Sequence, residues 1–442
     1  MKVRRATDAT GSSLLIKNAR LLDAANKIDG AGFVGIRDGV IAHAGSKAPK
    51  AAFDRELDAK GQWLMPGIVD LAARLREPGA THKATIASEL AAARASGITT
   101  ICIPPDTRPV VDTPAVVDRI YAKAAEAGGA SLAVLGALTQ GLAGEALAEM
   151  SALKQAGCVG VSNAAFGLRD SLVGRRALEY AQGLGLTVHV TPMNPALSNN
   201  GCAHEGPVAT RLGLPPIPVA AEVSAIRFWI SLVEDTGARV HFGRLSTARG
   251  ADLVETAQKR KLPITADVAA HQLFLTAEDV EGFNAQCHVL PPLRSGEDRD
   301  ALRDAVQRGV IDAICSDHQP HEADAKINPF PLTEPGMSSL ETLLPLCLQL
   351  VREKILSPLQ MAERLTAAPA RIIGRDAGSL AVGAQADLIL IDPEARWRFD
   401  AAAMRSAGRN SAFEGREFRG RLTRSFWRGR EIFPAPGETT GV

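Results

Sequence analysis

A (β/α)8 TIM barrel, carrying a small β-sandwich built from both ends of the chain, is the fold this sequence predicts. Three observations lead there. The middle of the chain alternates apolar, β-rich runs with alanine-rich amphipathic stretches, the rhythm of strand–helix units around a parallel sheet. Eight such runs can be counted, the number that closes a barrel. The two ends lack that rhythm and read as short strands between glycine turns.

The elements follow in order. Residues 1–12 are basic and polar, with no apolar signal core, and are expected to form a flexible arm. Residues 13–63 supply the first part of the sandwich, with SLLIKNARLL, GFVGIRDG and VIAHAG as its clearest strands. The barrel is expected over 64–375. Its strands are predicted at 68–74, 98–103, 132–138, 159–163, 186–191, 239–245, 263–268 and 312–317. Helical patterns fall between them, for example at 88–96, 115–127 and 222–236, and again near 359–371. Residues 376–438 return to strands in GSLAVGAQADLILID and in 420–433, and complete the sandwich.

Composition narrows the function. A chain of 442 residues exceeds one ordinary core, so a large and a small domain are expected. With 46% hydrophobic and 22% charged residues it is ordinary globular protein. A net charge of +1 argues against nucleic acid or a membrane surface as partner. No apolar run is long enough to span a bilayer. Six scattered cysteines without a C-x-x-C spacing read as buried free thiols of a cytoplasmic protein. The basic cluster over 416–430 reads as a solvated β surface.

The first barrel strand carries the chemistry. Its sequence over 64–79 is LMPGIVDLAARLREPG. Residues two apart on a strand point the same way, so H-x-H at the end of a barrel strand would aim two imidazoles into the mouth, a zinc-binding arrangement. This stretch resembles the first strand and loop of the dihydroorotase-type, metal-dependent amidohydrolases, which read D-x-H-x-H-x-R-E-P-G. Asp70, Arg76, Glu77, Pro78 and Gly79 match; Ala72 and Arg74 replace the two histidines. Further stretches resemble the same family: His204-Glu205-Gly206 with Leu212-Gly213-Leu214 and Ile217-Pro218, PPLRSGEDRDAL, SDHQPH, GMSSLETLLPL and LTAAPARIIG.

That resemblance implies a ligand set, and the set is mostly missing. The bridging carboxylate at the end of strand four is replaced by Asn163, the strand-five histidine by Thr191, and the strand-six histidine by Arg244. Only the acid of strand eight, Asp317, remains. Arg76 and His321 match residues that hold the substrate carboxylate, while Asp106 replaces a substrate-binding asparagine and adds a repelling charge. Neither alanine nor arginine can ligate a cation, and without metal the hydroxide-generating chemistry is lost. The expectation is therefore no zinc and no other cofactor, no catalytic residue (Asp317 vestigial), and a non-catalytic homologue. By the same resemblance it is a structural partner of the aspartate carbamoyltransferase catalytic chain in pyrimidine biosynthesis, and a homo-oligomer. Two alternatives stand beside it: an active dihydroorotase or other cyclic amidohydrolase with an atypical site, and a sensor of an anionic pyrimidine precursor through Arg76 and His321.

A substitute metal site would have to draw on His189, His241, His318 and His321, though strand histidines are usually satisfied core residues. The two arginines at ligand positions suit a different role. Arg74, Arg244 or both are expected to reach into the mouth and pair with Asp317. Arg76 is expected to hold a carboxylate or to pair with Glu77 or Asp317.

Overall fold

The computed structural model describes residues 13–434. The arm expected at 1–12, and residues 435–438 at the end of the second sandwich segment, lie outside the described residues. Eight parallel strands form the barrel: Ile68–Asp70, Ile98–Ile103, Ser131–Ala137, Gly160–Ser162, Thr187–Val190, Val240–Phe242, Ile264–Ala269 and Ala313–Cys315. They follow one another around the sheet in chain order. Every residue of Ile98–Ile103 is buried, the continuous apolar run of a strand covered on both faces.

The barrel closes at its mouth. The Arg74 N–H donates to the His318 carbonyl at 2.8 Å, and the His318 N–H donates to the Ala72 carbonyl at 3.1 Å. Strand one is thus tied to strand eight at Ala72 and Arg74.

The R-E-P-G loop has a structural role of its own. The Glu77 carboxylate accepts from the Ile86 N–H at 3.0 Å, where the helix Ile86–Ala95 begins and negative charge is favoured. The Thr85 hydroxyl and Ser88 complete a capping box there. Gly79 sits at φ +119°, and an added Cβ would lie 3.0 Å from the Arg108 carbonyl oxygen. Only glycine fits that turn without strain.

Both ends of the chain contribute to one mixed sheet of eight strands. Leu14–Asp23, Ile28–Arg37, Val40–Gly45, Arg55–Asp58 and Trp63–Pro66 come from one side, and Leu388–Arg398, Glu417–Trp427 and Arg430–Phe433 from the other. Trp63–Pro66 is the seam, parallel to Leu14–Asp23 and antiparallel to Leu388–Arg398. The Ile41 N–H donates to the Ala384 carbonyl at 2.8 Å, so the edge strand comes back onto the C-terminal segment. The sheet encloses its own apolar core, which includes Ile16, Leu21, Ile36, Ile41, Leu388 and Phe426. Hydrogen bonding through the seam joins both ends of the chain in the one small β element expected of them. Among the described residues no helix is long and apolar enough to cross a membrane.

Candidate active site

The carboxyl ends of the barrel strands hold a row of alternating charges. Arg74 Nε donates to Asp106 Oδ2 at 2.9 Å, and its Nη1 lies 4.0 Å from Asp317 Oδ1. Arg244 approaches the same Asp317 oxygen from the other side, with Nε at 3.5 Å. The order is Asp106, Arg74, Asp317, Arg244. Both arginines face the aspartate, but Arg74 is held chiefly by Asp106. The charge of Asp106, read from the sequence as a bar to anions, is neutralised by that contact.

Asp317 is 2% exposed. Burial raises its carboxyl above the usual value, and Arg244 and then Arg74 pull it back without cancelling the rise. Gln319 Nε2 donates to it at 3.2 Å. Burial opposes the charge on Arg244, yet Asp317 and Asp267 overcome this and leave its pKa raised. The Arg244 backbone N–H donates to Asp267 at 2.6 Å, and its Nη2 donates to the Thr191 hydroxyl. Thr191 thus serves as an anchor for the guanidinium.

The backbone at the mouth is strained. Arg76, Ala164, Arg244 and Asp317 have φ of 62°, 50°, 61° and 48°. Left-handed conformations in non-glycine residues cost about 1–3 kcal/mol each and gather at functional sites.

The remaining positions are committed locally. Asn163 accepts from the Thr139 hydroxyl at 2.7 Å, and its amide donates to the carbonyls of Phe166 and Gly167 at 3.1 and 3.3 Å; it shapes the loop after strand four. The Ala72 side chain is a buried methyl. Arg76 pairs with neither Glu77 nor Asp317. Its Nε donates to the Pro320 carbonyl at 3.0 Å and its Nη2 lies 3.0 Å from His321 Nε2. Two of its donors are therefore occupied within the protein, which leaves the carboxylate sensor without its main reader.

The four histidines do not converge. His318 accepts from the Ser339 N–H and donates from Nε2 to Glu89 at 2.7 Å. His241 bridges Thr265 and Asp267. His321 lies between Arg76 and Lys83. His189 and His241 have ring centroids 5.1 Å apart, and burial pushes His189 down to about 3, so it is neutral. Among the described residues no group of three or more His, Cys, Asp or Glu is placed to hold a metal. The chemistry of the mouth also does not fit zinc: Ala72, Asn163, Thr191, Arg74 and Arg244 offer a methyl, an occupied amide, a hydroxyl and two guanidinium groups, and Asp317 already faces those two cations.

Sequence reasoning missed two groups that hold this mouth together, Asp267 and Glu89, and gave Asp70 no role beyond its place in the motif. Asp267 collects the Arg244 N–H and His241. Glu89 lies under His318. Asp70 accepts from the backbone and hydroxyl of Ser316 at 2.8 and 2.5 Å, and burial pushes it up to about 6. An acid inside an otherwise apolar strand, as in ITADVA, was the available signal for Asp267.

Two buried histidines elsewhere give a pH expectation. Burial lowers His271 and His288 from 6.5 to about 4. The unfolded chain takes up their protons below pH 6.5 and the folded chain does not until about pH 4. Their stability contribution is full above pH 6.5 and is lost as pH falls toward 4. Urea midpoints should fall across that window, and His271→Leu should flatten the slope; an unchanged slope would show that His271 is not protected from protonation.

Comparison with known proteins places this geometry. A family model described as dihydro-orotase-like matches residues 61–249, and one described as the amidohydrolase family matches residues 223–432. A "Dihydroorotase-like protein" of Pseudomonas aeruginosa is 46% identical over 93% of this chain and 97% of its own. A "Dihydroorotase" of Anaeromyxobacter dehalogenans is 42% identical over 95% of this chain and 97% of its own. Among solved structures, an L-hydantoinase (dihydropyrimidinase) from Arthrobacter aurescens shares the fold, with TM-score 0.86, 24% identity and 95% of each chain covered.

These findings correct the expectation of a non-catalytic protein. Near full-length identity to proteins named dihydroorotases speaks for a hydrolase, and so against a purely structural role beside aspartate carbamoyltransferase. The physical reason for the error is specific. The missing imidazoles were read as the loss of all chemistry, but they do not show that the strained, charged mouth around Asp317 is inert.

Proposed function

Because the chain belongs to the dihydroorotase-like amidohydrolases, we propose that it hydrolyses cyclic amides from an atypical site in which guanidinium groups stand where metal ligands would. The observation that supports this best is the row Asp106–Arg74–Asp317–Arg244 at the carboxyl face of the barrel. Catalytic groups of such barrels sit on that face.

In this reading Arg74 or Arg244 donates to the ring carbonyl oxygen and stabilises the negative charge that develops there. Asp317 takes a proton from the attacking water, whose oxygen bonds to the carbonyl carbon. The ring carbon–nitrogen bond then breaks, and the proton on Asp317 passes to the departing nitrogen. The product is the ring-opened acid. Burial suits Asp317 to this work, since a raised carboxyl is a stronger base. A cavity of about 30 Å³ lined by Arg74, Arg244 and Asp267 offers room for a water molecule at the arginine side of the row. Six buried free thiols suit a reducing compartment, and a cytoplasmic location is part of the proposal.

The test is ring opening by protein dialysed against a strong chelator, with dihydrouracil, hydantoin and dihydroorotate as substrates. Turnover that survives chelation is expected. No opening of any ring, with or without added zinc, would refute the hydrolase; turnover that appears only with zinc would refute the metal-free site.

A further inference from the structure

A connection within the terminal sheet reaches the barrel mouth. Between the strands Leu388–Arg398 and Glu417–Trp427 the chain leaves the sheet as a long loop over residues 399–416. The Phe399 N–H on the Arg416 carbonyl at 2.8 Å and the Gly415 N–H on the Phe399 carbonyl at 3.0 Å close its base. A connection of that length in a compact protein usually has a function of its own. Its far end is buried, with Ser406, Asn410 and Ser411 nearly out of reach of water. Gly408 lies against the segment that follows strand eight, where an added Cβ would meet Pro320 at 2.5 Å and the His321 nitrogen at 2.8 Å. Only glycine allows so close an approach.

Asn410 makes the contact. Its Oδ1 accepts from the His321 N–H at 2.8 Å, and its Nδ2 donates to the carbonyls of Gln319 and Gly336 at 3.0 and 3.1 Å. The oxygen meets an N–H and the amide nitrogen meets two carbonyls, so the partners fix which way the amide points. The side chain thus grips the peptide groups on either side of Pro320. Both serve the charged row. Gln319 donates from Nε2 to Asp317 at 3.2 Å, and its own N–H donates to the Met337 carbonyl at 2.7 Å. With Asn410 on its carbonyl, the Gln319 backbone is pinned at both ends, and its side chain meets Asp317 from a fixed point. The Pro320 carbonyl accepts from Arg76 Nε at 3.0 Å, and His321 Nε2 lies 3.0 Å from Arg76 Nη2. Proline has no N–H to anchor it, so the direction of that carbonyl depends on its neighbours.

The segment needs such a grip. Asp317 has φ 48°, a conformation that persists only where the surroundings enforce it. We propose that Asn410, carried by the terminal sheet, is a positioning residue for the mouth, setting through Gln319 and Pro320 where Asp317 and Arg76 stand. The small β element then contributes to the site as well as bracing the barrel. The inference rests on the proposed reading for the reaction, and on these hydrogen bonds alone for the geometry.

The test pairs a kinetic cycle on the whole protein with a structure of the variant. Asn410→Ala should lower kcat for ring opening about tenfold or more, since small misplacements at such sites cost up to about 100-fold. Gln319→Ala should also slow turnover. The double variant should be no slower than the slower single one, because the two residues act along one path. Ser338→Ala is the structural control. It removes the bond from Ser338 Oγ to Ser406 Oγ at 2.8 Å, so it loosens the same loop and should lower the melting temperature while leaving kcat in place. A crystal structure of Asn410→Ala should show Gln319 Nε2 drawn away from Asp317 and the Pro320 carbonyl turned from Arg76. Should the alanine variant fail to fold, Asn410→Asp replaces it, keeping the acceptor for the His321 N–H and giving up the amide donors. Losses that add in the cycle, an equal loss of kcat in Ser338→Ala, or a variant structure with both contacts intact would overturn the proposal, as would failure of both variants to fold. If the native protein opens no ring, the hydrolase falls and the variant structure alone decides whether Asn410 places Asp317 and Arg76.

Discussion

Replacing Asp317 with asparagine is expected to slow ring opening by about 10²–10⁴-fold, the usual contribution of a positioned base, while leaving the fold in place. Asparagine has the same shape and keeps an oxygen that accepts from Gln319 Nε2, 3.2 Å away in the native protein. It cannot take a proton from water. The two arginines are not abandoned by the change. Arg74 retains Asp106 at 2.9 Å, and Arg244 retains Asp267 as a nearby opposite charge. Burying a carboxylate is itself costly, so its loss is partly offset. The measurements are kcat on the best substrate and the melting temperature. An unchanged kcat would remove Asp317 from the mechanism; a collapse in melting temperature would show that its charge is structural.

Arg244→Ala should cost roughly 3–5 kcal/mol of stability, the range for breaking a buried pair from one side. Asp317 would keep only Arg74, at 4.0 Å, and would remain 2% exposed. Arg74→Ala should cost less at Asp317, because Arg74 is tied first to Asp106. Adding Asp317→Asn to Arg244→Ala should recover part of the loss, since no uncompensated charge remains. Urea unfolding of the single and double variants checks this. If the second substitution brings no recovery, the two residues are not coupled.

The barrel was legible because its strands are short apolar runs between strongly patterned helices, a local signal that survives without any knowledge of neighbours. The positions facing the mouth were legible for a related reason. A strand's two-residue period says which side chains share a face, so Arg74 could be assigned an inward direction from sequence. Its partner could not be. Asp106 comes from the loop after the second strand, and only the closed structure brings the two together. Glu89 beneath His318 is equally non-local. That both ends of the chain build one small β element was legible; its seam, Trp63–Pro66, was not, because it pairs in two directions with distant segments. The departure from the histidine pattern at Ala72 and Arg74 was plain in the sequence. Its meaning was not, because a missing ligand defines the chemistry that is lost and says nothing of the charges that replace it.

The seam strand also sets an order for assembly. Trp63–Pro66 finds one neighbour just upstream and the other, Leu388–Arg398, almost at the far end of the chain. During synthesis the terminal sheet stays incomplete until the whole barrel has left the ribosome. The entropic cost of closing so large a loop grows only slowly with its length, but contacts of such sequence separation form late. Until then one backbone edge of Trp63–Pro66 is open, and an open strand edge is a template for pairing with other chains. Loss of the final strands would leave that edge unpaired, and pairing with other chains is the expected result.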